Sequence, residues 1–394
     1  MIKRKQLVVL ILVAGALGIA AWFVVSRSTT SWQSNTGQTG KKVVDFPIND
    51  VAAISIKQPD KEVNLEKKGD KWVVAERANY PANFETISTF IRQVWELKPG
   101  QEVKVGPSQL GRLELLKSGK GAEAGTLVEF KDAQGKRLAA FRFGKKYMRE
   151  SNQSFVQGRS FPAGRYVMPE DNSHHVTLVA QAFQQIDNKP ERWLDPAFIK
   201  IEKPVSVACA GIDPAMSWKL EKEHASTDWK LTDLKPGEQL DQTKARQLGS
   251  AAGNVSSFTD VLAPDASAGV TGLDKPVVFT IMNEDGFTYV LKVGKKNDES
   301  YPITVAVSAE LPAARTPGKD EKPEDKTKLD NEFQTKRQRL EKKLTKEKAF
   351  EGRPFLVSKY TIEQLEKKRA DLLAPKPTPT PSLGPSATPR RTRS

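Results

Sequence analysis

The hydrophobic pattern of the chain begins with an uninterrupted apolar run over residues 7–25, which contains no charged residue. As a helix this run would rise about 28 Å, close to the thickness of a bilayer's hydrocarbon core. The basic residues Lys3 to Lys5 precede it and only Arg27 follows closely, so the positive-inside rule keeps the N-terminus cytoplasmic. The pattern predicts a short cytoplasmic stub over 1–6, a single transmembrane anchor and an extracytoplasmic body.

A cleaved signal peptide is the alternative for this segment, with a small-residue cleavage site near Gly18 and Ala20. The apolar run is longer than the usual signal-peptide core, which favours an uncleaved anchor. Residues 26–42 are rich in Ser, Thr, Gly and Gln and predict a flexible stalk. At the other end, residues 374–394 are rich in Pro, Thr and Ser, end in arginines, and predict a disordered basic tail.

The body between stalk and tail predicts a first domain over 43–196. Alternating apolar and polar positions indicate an opening strand at 51–56 and then a hairpin around Gly69-Asp70. Apolar residues spaced three and four apart indicate an amphipathic helix that begins after Asn83, a suitable N-cap. The remaining patterns predict strands at 127–130 and 138–146, a hairpin that pairs 154–156 with 165–168, and a helix at 176–186.

The same order of patterns recurs in a second predicted domain over 197–373. It begins with a strand at 198–201, continues with a hairpin in which Trp229 takes the place of Trp72, and has a helix at 240–255. A strand that ends in Gly-Lys-Lys occurs in each copy, at 144–146 and at 294–296. The sequence therefore predicts an α+β fold: one N-terminal transmembrane helix followed by two tandem, duplicated α+β domains rich in antiparallel hairpins.

The second domain contains a charged insertion over 311–350, between predicted strands at 303–307 and 355–357. Its Lys- and Glu-rich part predicts a helix with a narrow apolar stripe. Two interpretations stay open: a solvated excursion that packs lightly on its own domain, and a docking arm for a partner. If the insertion is a docking arm, its removal should leave the body folded, because a hairpin connection can change length at little entropic cost. The candidate partner-binding residues are Leu329, Phe333, Leu340 and Leu344.

The sequence contains few patterns that support chemistry. One cysteine, Cys209, permits neither an intramolecular disulfide nor a thiolate metal site. The histidines His174, His175 and His224 lack the spacing of a zinc site. The Gly-Lys pairs lack the earlier glycine of a phosphate-binding loop. We therefore predict no catalytic residue, no metal site and no cofactor, although two carboxylates of a hydrolase need only be close in space.

Several short motifs resemble the domain-of-unknown-function 4340 family. They are the Gly-x-x-Trp-x-Val hairpin at Gly69–Val74, the helix start Pro81–Asn83, the strand end Phe141–Gly144 and the polar stretch Arg192–Asp195. The resemblance covers most of residues 43–310. Members of this family are often encoded beside ABC-transporter-like components related to gliding-motility auxiliary proteins. The resemblance thus implies an envelope-associated accessory protein, and it transfers no catalytic residue.

The formal charge of +14 favours acidic partners, such as anionic lipid or anionic wall polymer, and we expect no nucleic acid. The leading hypothesis is a non-catalytic accessory or scaffold protein, single-pass in the inner (cytoplasmic) membrane, that serves an ABC-transporter-like complex. One alternative is an extracytoplasmic binding module for anionic envelope polymer. A second alternative is a hydrolase with dispersed carboxylates.

Overall fold

The computed structural model describes residues 42–98, 100–117, 123–150, 160–172, 175–186, 189–318 and 321–375. The predicted anchor at 7–25, almost all of the stalk and nearly the whole tail lie outside these residues. Within them, no helix combines the length and the apolar character needed to cross a membrane. The chain divides into two compact units, Met1–Trp193 and Leu194–Ser394.

The first unit is built on a nine-stranded antiparallel sheet of order β4-β3-β2-β1-β6-β7-β8-β9-β5. One long helix, α1, packs with its apolar side against the core. The bounds of these elements are β1 Ala53–Gln58, β2 Lys61–Lys68, β3 Lys71–Val74, β4 Tyr80–Pro81, α1 Phe84–Trp95, β5 Gln101–Val103, β6 Thr126–Lys131, β7 Arg137–Glu150, β8 Ser160–Pro169 and β9 Val176–Val179.

Local chemistry explains the elements of the first unit that the sequence predicts well. Gly69 adopts a φ of +61° at the β2–β3 turn, a conformation that glycine accepts without steric cost. Asn83 caps α1, since its side chain accepts a hydrogen bond from the Thr86 backbone N–H at 3.1 Å. Phe90 of α1 packs against Phe130 of β6 with ring centroids 5.9 Å apart, so the helix closes one face of the sheet.

The second unit is built on an eight-stranded antiparallel sheet of order β12-β11-β10-β14-β15-β16-β17-β13. A long helix, α4, lies in the connection between β16 and β17. The bounds are β10 Pro204–Ala210, β11 Trp218–Glu221, β12 Lys230–Leu231, α2 Gln242–Gly253, β13 Asp260–Val261, α3 Ala268–Thr271, β14 Val277–Asn283, β15 Phe287–Val293, β16 Ser300–Ala309, α4 Pro323–Lys348, β17 Phe355–Ser358 and α5 Lys359–Ile362.

The two sheets share one strand order. β10 corresponds to β1, β14 to β6 and β15 to β7, and only β4 has no counterpart among the described strands of the second sheet. The glycines of the two Gly-Lys-Lys sequences have the same role. A Cβ at Gly144 would lie 2.2 Å from the Leu113 carbonyl oxygen, and one at Gly294 would lie 2.0 Å from that of Thr271. Glycine is required there because a preceding helical turn passes directly against the strand end.

The predicted fold class is wrong: the body is not α+β, because antiparallel sheet dominates both units and helices are few. The segment predicted as a helix at 176–186 begins with β9, whose four residues are all buried. A short buried strand gives a continuous apolar run, which periodicity cannot distinguish from a helix. The predicted opening strand at 198–201 is also wrong. Those residues are irregular, and β10 takes the equivalent place.

Candidate functional site

Buried ionisable groups are the first candidates for a catalytic site, because ionisable groups with shifted pKa values in clefts are the usual sign of catalysis. Arg142, 5% exposed, donates to both carboxylate oxygens of Glu170, at 3.3 and 3.2 Å, and to the Gly125 carbonyl oxygen at 3.4 Å. Burial acts to raise the pKa of Glu170, but the hydrogen bonds and charge of Arg142 outweigh it, and the pKa lies below its ordinary value. This pair joins β7 to the end of β8 and is structural.

A second buried carboxylate holds the end of α4 against its own sheet. Glu347, 3% exposed, accepts a hydrogen bond from the Tyr289 hydroxyl at 2.8 Å and another from the Lys200 backbone N–H at 2.9 Å. The Lys343 ammonium, one turn earlier, donates to the Lys200 carbonyl oxygen at 2.7 Å. These four residues are called the Glu347 anchor below.

The environment of the Glu347 anchor favours neutral forms of its acids. Burial raises the pKa of Glu347 above its ordinary value, and its hydrogen bonds offset only part of that effect. Burial also raises the pKa of Tyr289, and the neighbouring carboxylate adds to the shift. Because both groups point into the core and bond to each other, they position α4 and do not face a cleft.

The predicted partner-binding stripe of α4 faces its own unit. Leu340 is buried, whereas Leu329, Phe333 and Leu344 are half-buried. On the same side of the helix, Lys336 forms an ion pair with Asp285 at 2.7 Å. Much of the surface of these four residues is therefore already covered by their own unit. Their role in binding a partner stays a prediction.

The opposite side of α4 is exposed and polar. It presents both signs of charge along the helix, and the preceding connection is tied to its first half because Arg315 binds Asp330 at 2.7 Å. Six exposed residues of this face are Glu324, Lys328, Asn331, Glu332, Thr335 and Arg339. We call them the polar face of α4.

The first unit has a different projection, formed by the ends of β7 and β8. β6 pairs with β7 only as far as Phe143, and β9 pairs with β8 only as far as Arg165. Beyond those points residues 147–150 and 160–164 pair with each other as a two-stranded extension. We call residues 145–150 and 160–164 the ribbon.

The ribbon exposes large apolar side chains. Tyr147 is 38% exposed, and Met148 and Phe161 are each 47% exposed. The ribbon was not predicted from the sequence, because the predicted hairpin had its first strand at 154–156, which lies outside the described residues. The available signal was the pair Tyr147-Met148, which continues the strand pattern beyond Gly-Lys-Lys; nothing similar follows the second copy of that sequence.

The described residues form no group of three or more His, Cys, Asp or Glu side chains that could hold a metal. His175 lies 3.2 Å from Glu102, His224 is in an exposed turn, and His174 is outside the described residues. Cys209 is buried, and burial raises its pKa to about 12, which suppresses the reactive thiolate.

Comparison with known proteins agrees with the short motifs of the sequence. A family model described as "Domain of unknown function (DUF4340)" matches residues 72–276, which is slightly more than half of the chain. Neither a curated protein nor a solved structure matches the chain. The matched region extends from β3 of the first unit to the residue before β14 of the second unit. The chain therefore belongs to the DUF4340 family.

Proposed function

We propose that the protein is a non-catalytic accessory or scaffold protein of the cell envelope, held in the membrane by its N-terminal segment. In this proposal the polar face of α4 docks onto an ABC-transporter-like membrane complex. The observation that carries the proposal is a helix of 26 residues whose last turns are fixed by the Glu347 anchor while its opposite side is exposed.

The anchoring of α4 suits a docking role for a thermodynamic reason. A helix of this length extends about 39 Å. Because the Glu347 anchor and Leu340 already hold it, a partner would not have to order it on binding, and the entropic cost of association would be smaller. Charges of both signs along the polar face suit a partner with a complementary pattern, which gives specificity and a faster encounter.

The placement of the buried acids supports a non-catalytic role. Glu170 bonds to Arg142 and Glu347 bonds to Tyr289, so both of these buried carboxyls are engaged in holding strands or helices together. Structural ion pairs and hydrogen bonds also shift pKa values, and the geometry around Glu170 and Glu347 gives a structural reason for the shift of each of these two residues.

The membrane placement rests on the apolar run at 7–25 and the basic residues before it. The charge distribution supports a role at a surface of opposite charge. Residues 1–41 contribute five and residues 376–394 contribute four of the net fourteen positive charges, and neither segment contains Asp or Glu. Much of the basic excess therefore lies in the two terminal segments.

Charge reversal on the polar face tests the docking proposal. In the full chain, Lys328→Glu together with Arg339→Glu should reduce co-purification of a membrane complex at least fivefold, because both charges are exposed. The matched control is Lys219→Glu with Lys230→Glu, which also reverses two exposed basic residues of this unit. Equal recovery from the polar-face and control variants would count against the docking surface.

A second candidate function, binding of anionic envelope polymer, is favoured by a groove of about 800 Å³ between α2 and residues 364–372. Its charged lining residues are Lys244, Arg246, Lys367 and Asp371, so basic residues predominate. Arg246→Glu with Lys367→Glu should then abolish salt-sensitive binding of purified wall polymer, while co-purification of a membrane complex stays unchanged. Polymer binding that survives this change would exclude the groove.

A further inference from the structure

We propose that the ribbon is a second membrane contact, which inserts Tyr147, Met148 and Phe161 at the headgroup level of an anionic bilayer. The inference goes beyond partner docking and rests on the proposed placement of the body at a membrane. It starts from the exposed apolar side chains of the ribbon, which take no part in the core of the first unit.

The distribution of the apolar residues favours lipid over a protein groove. Directly opposed residues of an antiparallel pair lie on the same face, and successive residues alternate between faces. Met148 is opposite Pro162 on one face, and Phe161 is opposite Arg149 on the other. Both faces of the ribbon are therefore partly apolar. A protein groove would cover one face and leave the other in water, whereas a lipid interface surrounds both.

The charge of the ribbon selects an anionic surface. Lys145, Lys146 and Arg149 lie on the β7 side, and Glu150 is the single acid of the ribbon. Basic side chains close to a bilayer are attracted by acidic headgroups, and long Lys and Arg stems allow the charge to stay in water above buried apolar groups. This mixture of aromatic, Met and basic residues is typical of elements that lie in a membrane interface.

The backbone of the ribbon limits the depth of insertion. Past Tyr147 on one strand and before Arg165 on the other, the outer edges of the ribbon have no neighbouring strand among the described residues. Unpaired N–H and C=O groups are not tolerated in hydrocarbon but are satisfied among hydrated headgroups. Tyr147 suits this level because its ring is apolar and its hydroxyl can bond to water.

The test uses an environment-sensitive dye on Met148→Cys in the full chain. Cys209 is 4% exposed and its pKa is raised to about 12, so the native thiol stays unlabelled and serves as an internal blank. The control is Ile212→Cys, because Ile212 is 70% exposed but isolated in the second unit. Each labelled variant is mixed with phosphatidylcholine vesicles that contain a lipid-bound quencher. The vesicles are prepared with and without phosphatidylglycerol.

In vesicles with phosphatidylglycerol, the lipid-bound quencher should reduce the dye signal at position 148 at least threefold more than the signal at 212. Adding Lys145→Glu and Arg149→Glu should remove most of that difference, while thermal unfolding stays unchanged. If the dye at 148 is reached by aqueous iodide as readily as the dye at 212, the inference is wrong. Shielding of position 148 from both quenchers, by a bound protein, would also overturn it.

The same experiment separates this inference from the proposed N-terminal membrane anchor. Flotation with pure phosphatidylcholine vesicles depends on the N-terminal segment. If flotation fails and the dye at 148 still responds to anionic vesicles, the proposal of an N-terminal membrane anchor is wrong and the ribbon contact stands. If the chain floats with both kinds of vesicle and the dye at 148 stays in water, the anchor stands and the ribbon contact is excluded.

Discussion

Replacement of Glu347 by Ala should release the end of α4 from its sheet and destabilise the second unit. The carboxylate accepts hydrogen bonds at 2.8 and 2.9 Å from the Tyr289 hydroxyl and the Lys200 backbone N–H, and its removal leaves both donors without that acceptor. The Tyr289 hydroxyl also lies 3.3 Å from the Lys200 carbonyl oxygen, which gives it a weaker alternative partner.

The magnitude follows from the two bonds and the environment. A donor that loses its acceptor away from water costs about 1–3 kcal/mol, so the two bonds together contribute roughly 2–6 kcal/mol before offsets. Loss of a buried carboxylate removes a desolvation penalty, and the alternative partner of Tyr289 recovers part of one bond. We expect a net loss of about 3 kcal/mol. For a unit of this size that lowers the unfolding midpoint by roughly 6–12 °C.

Scanning calorimetry of the full chain measures this effect, and the transition of the first unit serves as an internal reference. The matched control is Glu341→Ala, on the same helix. Glu341 is exposed and pairs with Arg337 at 2.9 Å, an interaction that contributes about 0.3–0.5 kcal/mol. If the unfolding midpoint shifts no more for Glu347→Ala than for Glu341→Ala, the stabilising role of the Glu347 anchor is refuted. Hydrogen exchange over 323–348 should accelerate only in the Glu347 variant.

Three further predictions concern stability. Deletion of 311–350 should destabilise the second unit by at least about 3 kcal/mol, in contrast to the expectation from loop entropy alone, since it removes Phe350 from an aromatic cluster; thermal unfolding decides. Glu347→Gln should gain stability relative to wild type as pH rises above 4.5. Because the pKa of Glu347 is higher in the folded state than in the unfolded state, its contribution to stability is full below the unfolded-state pKa and is lost as the pH rises through the folded-state pKa. Thermal unfolding midpoints of both proteins, measured from pH 4 to 8, test the sign. Gly294→Ala should destabilise by roughly 2–4 kcal/mol because its Cβ would lie 2.0 Å from a carbonyl oxygen, whereas Gly269→Ala, with open space around it, should not; urea unfolding compares them.

Features of the fold that depend on neighbouring residues were predictable from the sequence. The β2–β3 hairpin follows from Gly69 at its turn, and α1 follows from its apolar spacing and the Asn83 cap. The pairing of β16 with β17 across the insertion was also predicted, and in the structure Ile303 lies opposite Phe355. For the hairpin and for α1, the residues that determine the element lie within it or beside it, whereas the pairing of β16 with β17 was predicted from the repeated order of patterns in the two domains.

Features that depend on distant residues were not predictable. The buried run Val176–Val179 is a strand because β5 and β8 flank it in space, which no local pattern records. The apolar stripe of α4 was visible, but its spacing does not tell whether the surface that covers it belongs to the same chain. Glu347 was overlooked because one acidic residue in a charged helix gives no sign that a tyrosine from a distant strand will meet it.

The central claim is that α4 packs its stripe on its own sheet and offers its polar face to a partner. A photoreactive amino acid at Asn331 or at Phe333, in the full chain in cells, tests both halves of the claim. We expect an adduct with a membrane protein from Asn331, which is exposed, and none from Phe333, which is half-buried. An adduct from Phe333 but not from Asn331 would contradict it, because the stripe would then be the docking surface.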